Sequence, residues 1–102
     1  MKLLTDEIRN TLPPLYSAEK DPDPLVRVKF FTPWSSWTWY GIEYSPEEKL
    51  FFGFVVGDFP ELGYFSLTEL EEFRGPHGLY IERDLHFTPC RLSEIRKKPA
   101  TV

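Results

Sequence analysis

The sequence predicts an α+β fold: one domain, formed by a curved antiparallel sheet of four to five strands with two to three short helices packed on one face. Its 102 residues fit a single domain spanning the whole chain. Ten prolines and six glycines exclude long helices and require many turns. The predicted strands and helices do not alternate in the β–α–β order of a parallel sheet, which leaves an antiparallel arrangement. Since 17% of the residues are aromatic, large rings are expected to fill the core.

The first predicted element is a short helix capped by Thr5 and extending to about Thr11. A threonine hydroxyl can accept a backbone hydrogen bond at a helix start. Asp6 and Glu7 lie in the first turn, where the helix dipole favours anions. The apolar stripe of this helix consists of Leu4, Ile8 and Leu12. Two prolines end it, and the polar segment 17–24 is expected to be an exposed loop.

A β-hairpin is predicted next, with strands over 25–32 and 37–44 and a turn over 33–36. The first strand alternates, with Val26, Val28 and Phe30 on one side and Arg27, Lys29 and Phe31 on the other. The second strand carries large rings on both of its faces. Neither face of this strand is therefore expected to be open to solvent.

The continuously apolar run 50–56 predicts a strand that is buried on both faces and central in the sheet. Gly53 within the run indicates a bend or a bulge. A loop over 57–63 and a short strand at Tyr64 and Phe65 are expected to follow.

A second helix is predicted from Ser66, which begins a capping-box pattern, to about Arg74. Its expected buried stripe consists of Leu67, Leu70 and Phe73. Gly75 fits the C-terminal cap. The last strand is predicted over 79–87, with Leu79, Ile81, Leu85 and Phe87 pointing inward. A final helical turn is expected from Ser93, within a basic and frayed tail over 94–102.

The charge distribution disfavours nucleic-acid binding. The net charge is −4, and eight acidic residues oppose one lysine between Glu43 and Glu72. This segment is interpreted as a solvated acidic face, with an acidic interaction surface as the alternative. The single cysteine, Cys90, favours a reducing cytoplasm, and no run of about 20 apolar residues predicts a membrane helix. The N-terminus turns acidic too soon for a signal peptide.

The sequence contains no recognisable catalytic or metal-binding motif. His77 and His86 lie nine positions apart, and Cys90 is the only thiol, so no ligand spacing typical of a metal site is present. Phosphate-binding loops, dinucleotide fingerprints and nucleophile elbows are also missing from the sequence. We therefore predict no metal and no cofactor, and we favour a protein that is not an enzyme.

The tryptophans are the main candidate binding residues. Trp34, Trp37 and Trp39 fall within six positions. Trp34 is the favoured surface residue because it lies in the predicted turn, and Trp37 is the second candidate. The default interpretation of the aromatic cluster is that it belongs to the core, and nucleic-acid stacking is a third alternative. A small patch of Arg27, Lys29 and Phe31 is the corresponding candidate for nucleic acid.

Arg83 is the other polar residue of interest, together with its neighbour Glu82. An arginine on an apolar strand face must find a partner if it is buried, because an unpaired buried charge is very costly. A carboxylate such as Glu43 could supply that partner in a structural ion pair. The alternative is an arginine that binds a ligand.

Several motifs occur together along the first 93 residues. They are Lys2-Leu3-Leu4-Thr5, Leu12-Pro13-Pro14-Leu15-Tyr16, Val28-Lys29-Phe30-Phe31-Thr32-Pro33, Trp37-Thr38-Trp39-Tyr40, Phe51-Phe52-Gly53, Gly63-Tyr64-Phe65-Ser66-Leu67 and Ile81-Glu82-Arg83-Asp84-Leu85. This combination resembles the bacterial family known as domain of unknown function 2958. The resemblance implies a short bacterial protein frequently carried on plasmids and other mobile elements, often beside antirestriction or DNA-modification genes. It implies no activity and no catalytic residues.

Three functions follow as hypotheses. The preferred one is a non-enzymatic protein-interaction module of a mobile element, which binds an unknown protein through the tryptophan-bearing turn or the acidic segment. The second is a nucleic-acid-binding protein that uses Arg27, Lys29 and nearby aromatic residues. The third is a small enzyme with a site near Arg83. A monomer or a weak dimer is expected in each case.

Overall fold

A meander of antiparallel strands forms the centre of the structure, a computed structural model that describes residues 2–97. The strands are β1 (Leu25–Val26), β2 (Val28–Phe31), β3 (Thr38–Ser45), β4 (Leu50–Val56), β5 (Pro60–Ser66), β6 (Glu82–Arg83) and β7 (Cys90–Arg91). The helices are α1 (Asp6–Thr11), α2 (Leu67–Glu72) and α3 (Leu92–Lys97). The main sheet has the order β5-β4-β3-β2-β6, and β1 pairs with β7 in a separate ribbon. The predicted single α+β domain with an antiparallel sheet is confirmed.

A bulge in β3 sets which side chains reach each face of the sheet. Gly41 pairs with Gly53, but the next pair joins Glu43 to Phe52, so Ile42 is an extra residue. An extra residue reverses the alternation of the side chains that follow it. The bulge predicted from Gly53 therefore lies directly across from that glycine, on the neighbouring strand.

Each face of the sheet carries its own apolar cluster. The first cluster, beneath α1 and α2, consists of Leu3, Leu4, Leu12, Val28, Phe30, Tyr44, Phe51, Phe65, Leu67, Leu70 and Ile81. The second cluster, beneath α3 and the β1–β7 ribbon, consists of Val26, Ile42, Phe54 and Leu92. The expectation that the helices share one face is therefore wrong for α3. Both hairpin faces are covered, as the rings on both sides of β3 predicted.

The helix starts follow the predicted capping residues. Thr5 Oγ1 accepts a hydrogen bond from the Ile8 amide at 3.1 Å, and Ser66 Oγ accepts one from the Glu69 amide at 3.2 Å. The second helix ends earlier than predicted, with Phe73 as its C-cap in place of Gly75. Because the chain leaves the helix at Phe73, this ring is 51% exposed and not part of a buried stripe.

Two strand predictions need correction. β5 begins at Pro60, since only three residues are needed to turn the chain after β4, and the predicted loop over 57–63 is correspondingly shorter. The last predicted strand, 79–87, is reduced to β6. Asp84 turns the chain after β6, because its carboxylate accepts a hydrogen bond from the His86 amide and its carbonyl accepts one from the Phe87 amide. Leu85 is consequently 65% exposed and does not point inward.

The β1–β7 ribbon was not predicted from the sequence. It pairs Leu25 with Arg91 and Val26 with Cys90, and the Leu92 amide donates to the Pro24 carbonyl at 2.9 Å. α3 follows directly, and its helical turns agree with the turn predicted from Ser93. The remainder of the predicted tail, 98–102, lies outside the described residues. Over residues 2–97, the helices are too short and insufficiently apolar for any of them to cross a membrane.

Candidate functional site

Trp34, the favoured surface residue, is half-buried and packs against the first apolar cluster. Its indole stacks on Phe73 with ring centroids 6.0 Å apart and an interplanar angle of 11°. Gly75 lies against the same indole, where a β-carbon would come within 2.5 Å of the ring. The chain itself therefore covers much of the indole that the turn position predicted to be a contact surface.

Trp37 is the more accessible of the two candidates, with 40% of its surface exposed. Its indole lies 5.8 Å from that of Trp39 and directly over Gly57. It lines a shallow depression of about 200 Å³ together with Val55, Asp58, Phe59 and Glu61. We call Trp37, Asp58, Phe59 and Glu61 the Trp37 patch. Phe59 is 77% exposed, the highest value among the exposed large apolar residues.

Two neighbouring turns bring the Trp37 patch together. The first is the hairpin turn before β3, which is closed by a hydrogen bond from the Thr32 amide to the Trp37 carbonyl at 3.1 Å. Ser35 Oγ accepts a hydrogen bond from the Trp37 backbone amide at 3.2 Å, which helps to fix the backbone that carries the indole. The second turn joins β4 to β5. Both turns lie at the same end of the sheet, because Val56 pairs with Thr38 on one side and with Pro60 on the other.

The Trp37 patch is continuous with an open edge of the sheet. Within the described part of the chain, β5 pairs only with β4, so its other side carries free backbone donors and acceptors. Glu61 belongs both to the patch and to β5. Further along this strand, Leu62 and Tyr64 are 43% and 51% exposed. The seven-residue edge strand therefore begins at an exposed aromatic patch and extends away from it.

The residues predicted to contact nucleic acid do not form one basic surface. Lys29 Nζ lies 3.5 Å from the Asp84 carboxylate and 5.9 Å from the centre of the Tyr40 ring. Phe31 is half-buried on the same strand. Arg27 lies in the break between β1 and β2 and lines a second depression, separate from the one beside Trp37. The ion pair with Asp84 offsets the charge of Lys29 locally.

Arg27 and Arg83 line the same depression, which we call the arginine pocket. It has a volume of about 260 Å³ and lies between α1 and the β6 edge of the sheet. Two carboxylates, those of Glu7 and Asp84, also line it. The apolar part of its wall consists of Ile8, Val28, Leu85 and Phe87. Arg27 and Arg83 belonged to separate predicted sites, the nucleic-acid patch and the Arg83 site, and the structure brings them together.

Arg83 binds the N-terminal segment and does not meet Glu43. Its Nη1 atom donates to the Lys2 carbonyl at 2.9 Å and to the Leu3 carbonyl at 2.6 Å. Glu43 is 3% exposed, and its two carboxylate oxygens accept hydrogen bonds from the amides of Tyr16 and Ala18 at 2.9 and 2.7 Å. The suggested Arg83–Glu43 pair is therefore wrong. Because Glu43 is buried, it cannot be part of the acidic interaction surface that was the alternative for the segment from Glu43 to Glu72. Glu82 is half-buried and pairs with Phe31 across β2 and β6.

The Arg27 side chain has no hydrogen-bond or ion-pair partner among residues 2–97. Its Nε atom is shielded from solvent and makes no hydrogen bond to any described residue. No carboxylate in residues 2–97 approaches either pocket arginine within ion-pair distance. Leaving a buried donor unsatisfied costs about 1–3 kcal/mol. Oxyanions are the groups that a guanidinium binds best, since its planar fork matches two acceptor oxygens.

Among the described residues, no three His, Cys, Asp or Glu side chains are grouped as they would be in a metal site. Asp58 and Glu61 belong to the acidic segment that the sequence offered as an alternative interaction surface, whereas Phe59 was not a candidate contact residue. Phe59 lies next to a proline in a segment predicted to be a loop, which is a signal that a ring would be exposed. The approach of that loop to Trp37 could not be read from the sequence, because it depends on the strand register.

A family model described as "Protein of unknown function (DUF2958)" matches residues 3–98 of the chain. Searches of curated proteins and of solved structures find no match. The family match covers nearly all of the chain, including both the Trp37 patch and the arginine pocket.

Proposed function

The chain belongs to the DUF2958 family, and we propose that it is a non-enzymatic peptide-binding module. In this proposal, an extended segment of a partner protein pairs with the open edge of β5 and places an apolar side chain beside Trp37. The observation that carries the proposal is the continuity of this edge with the Trp37 patch through Glu61. An edge strand beside a side-chain pocket is the arrangement that recognises extended peptides.

The shape of the surface favours an extended partner. Alternate residues along the seven-residue strand β5 direct backbone N–H and C=O groups to its unpaired side, and these supply affinity that does not depend on sequence. Natural proteins commonly protect such edges with lysine, proline or bulges. β5 has a proline only at its first residue, Pro60, and exposes Leu62 and Tyr64 beyond it. The depression beside Trp37 then selects the side chain that enters it.

The charge of the surface favours a basic partner. Asp58 and Glu61 line the Trp37 depression, and none of the described Lys or Arg residues does. On an added antiparallel strand, a residue opposite Glu61 would lie close enough to form a cross-strand pair of opposite charge. The partner segment in our proposal therefore carries an apolar residue flanked by lysine or arginine.

The setting of the module belongs to the same proposal. We place it in a reducing bacterial cytoplasm and on a mobile element with an antirestriction or host-defence role, as the family resemblance implies. The gene neighbours of family members test this setting.

The nucleic-acid hypothesis has less support, because Lys29 is paired with Asp84 and the exposed aromatic surface is acidic. The enzyme hypothesis has less support because Arg83 holds backbone carbonyls.

The test uses two eight-residue peptides that alternate apolar residues with either lysine or glutamate. Binding is followed by tryptophan fluorescence and by the backbone amide resonances of β5. We expect the lysine peptide to bind saturably and the glutamate peptide not to bind. Trp37→Ala is expected to weaken binding at least about fivefold, since aromatic anchors dominate such contacts. The control is Tyr80→Ala, which removes an exposed ring that does not line the patch.

A charge reversal sharpens the test. Glu61→Lys is expected to abolish the preference for the lysine peptide, whereas Glu47→Lys, a reversal at an exposed turn, is expected to preserve it. Failure of both peptides to bind at millimolar concentration would contradict the proposal. Binding that is unchanged in both Trp37→Ala and Glu61→Lys would contradict it as well.

A further inference from the structure

We infer that the arginine pocket binds a carboxylate group carried on an apolar body. This site is separate from the proposed peptide surface, because the two depressions share no lining residue. The inference depends on four properties of the pocket: an unpartnered guanidinium, a second guanidinium with free donors, its net charge and its apolar wall.

The unpartnered group is that of Arg27. Its Nε atom is buried, and its guanidinium makes no hydrogen bond or ion pair with any described residue. Buried polar atoms in folded proteins almost always have a partner. An oxyanion in the pocket would provide one, and it would bind a guanidinium more strongly than a neutral acceptor does.

Arg83 supplies the second guanidinium, already held in place. Both of its hydrogen bonds use Nη1, on the carbonyls of Lys2 and Leu3. The Nη2 and Nε donors make no hydrogen bond within the described residues. A guanidinium fixed by its own chain loses little conformational freedom when it binds a ligand, which favours binding.

The charges in the pocket favour a monoanion. Asp84 is offset by Lys29, whose Nζ lies 3.5 Å from it. Two guanidinium charges then remain against the single carboxylate of Glu7, which leaves a net charge of about +1. A carboxylate neutralises this charge, whereas a phosphate dianion would exceed it.

The wall and size of the pocket indicate the rest of the ligand. Ile8, Val28, Leu85 and Phe87 offer apolar surface beside the two arginines. The volume of about 260 Å³ is smaller than that of a typical pocket for a drug-sized ligand. A branched short-chain acid fits this description, and so does the C-terminal carboxylate of a peptide that ends in an apolar residue.

The two sources are distinguished by titrating the whole protein with isovalerate and with a tripeptide that ends in leucine. The neutral controls are isovaleramide and the same tripeptide with an amidated C-terminus, and inorganic phosphate is the contrasting anion. The readout is the shift of the Val28 and Asp84 amide resonances and of the arginine Nε–H resonances. We expect saturable shifts with at least one carboxylate and none with its neutral control.

The variant that tests the site is Arg27→Gln, with Arg9→Gln as a matched control on the exposed side of α1. We expect Arg27→Gln to weaken carboxylate binding at least tenfold and Arg9→Gln to leave it unchanged. Arg27→Lys, which keeps the charge but removes the fork, provides a second variant if the glutamine variant does not fold, and it is also expected to bind more weakly. The inference is overturned if neither carboxylate binds, if the neutral controls bind equally, if only phosphate binds, or if both Arg27 variants bind like the unmodified protein.

Discussion

Gly75 lies so close to the Trp34 indole that a β-carbon at this position would come within 2.5 Å of the ring. The backbone at Gly75 is extended, with φ of −91°, so any residue could adopt its conformation. Glycine is needed here for space, and the space is taken by Trp34. The same indole also stacks on Phe73. Phe73, the C-cap residue of α2, therefore helps to hold Trp34, which the sequence predicted to lie in an exposed turn.

The first prediction concerns this contact. Gly75→Ala is expected to destabilise the fold by about 1–3 kcal/mol, because a stacked indole against the core has little room to move. Urea denaturation measures the change. Gly63→Ala is the matched control, since a β-carbon at Gly63 would meet no atom within 4 Å. Equal effects of the two substitutions would contradict the packing argument.

The second prediction concerns the accessibility of the tryptophans. In variants that retain a single tryptophan, with phenylalanine at the other two positions, the fluorescence of Trp37 is expected to be red-shifted and readily quenched by acrylamide. Trp34 and Trp39 are half-buried against the first apolar cluster, and their emission is expected to be shifted less. Acrylamide is chosen because it is neutral, so the carboxylates of Asp58 and Glu61 do not repel it. A shielded Trp37 would remove the basis of the proposed peptide surface.

The third prediction is a pH dependence that comes from Asp23. Its carboxylate accepts hydrogen bonds from the Ser93 hydroxyl at 2.7 Å and from the Ser93 amide at 2.8 Å. Both hydrogen bonds lower the pKa of Asp23 below its usual value of 3.8, and the bond from the Ser93 hydroxyl has the larger effect. A lowered folded-state pKa stabilises the fold above the unfolded-state value, and this stabilisation is lost as the pH falls through the folded-state value.

Asp23→Asn is therefore expected to lower the thermal midpoint at neutral pH, with a difference from the unmodified protein that shrinks as the pH falls below 3.8. Thermal unfolding followed by circular dichroism across this range measures the difference. Asp58→Asn, in an exposed turn, is the control and is expected to show no such trend. A difference that stays constant down to low pH would exclude the proposed linkage.

The fourth prediction concerns Glu43. Glu43→Gln is expected to destabilise the fold by about 1–3 kcal/mol, because its amide group would face one of the two backbone N–H donors that the carboxylate now binds. Denaturant unfolding measures this change. Glu47→Gln changes an exposed carboxylate in the following turn and is expected to have little effect. Similar stability of both variants would show that the Tyr16–Ala18 segment does not depend on the Glu43 carboxylate.

Local patterns predicted the elements that local forces determine. The caps at Thr5 and Ser66 and the alternation of β2 agree with the structure, because each depends on residues close in sequence. The apolar run 50–56 does form a strand between two others, but four of the seven residues of β4 are only partly buried. The last strand was predicted too long because that prediction also depended on residues close in sequence. Alternating apolar residues continue past Arg83, but the turn made by the Asp84 carboxylate ends the strand, and its effect is stronger than that of the pattern.

The candidate sites were less predictable, because they depend on distant contacts. The sequence singled out Trp37, Arg27 and Arg83, but not the elements that would join them to other residues. Trp37 meets Asp58 and Phe59 only through the register of β3 and β4. Arg27 and Arg83 share a pocket because β1 and β2 are interrupted at Arg27, a break that the regular alternation of this segment does not reveal.

The β1–β7 ribbon has a consequence for how the molecule opens. It joins segments that are far apart in the chain, as the separation of 70 positions between Asp23 and Ser93 illustrates, whereas the strands β2, β3, β4 and β5 are joined in the sheet in the order of the chain. A few backbone hydrogen bonds hold the ribbon, so we expect amide protons there to exchange with solvent well before those of the meander. A protease or chaperone that meets this partly opened form would reach Val26, Ile42 and Phe54. The rings beneath α1 and α2 would stay protected until the whole domain unfolds.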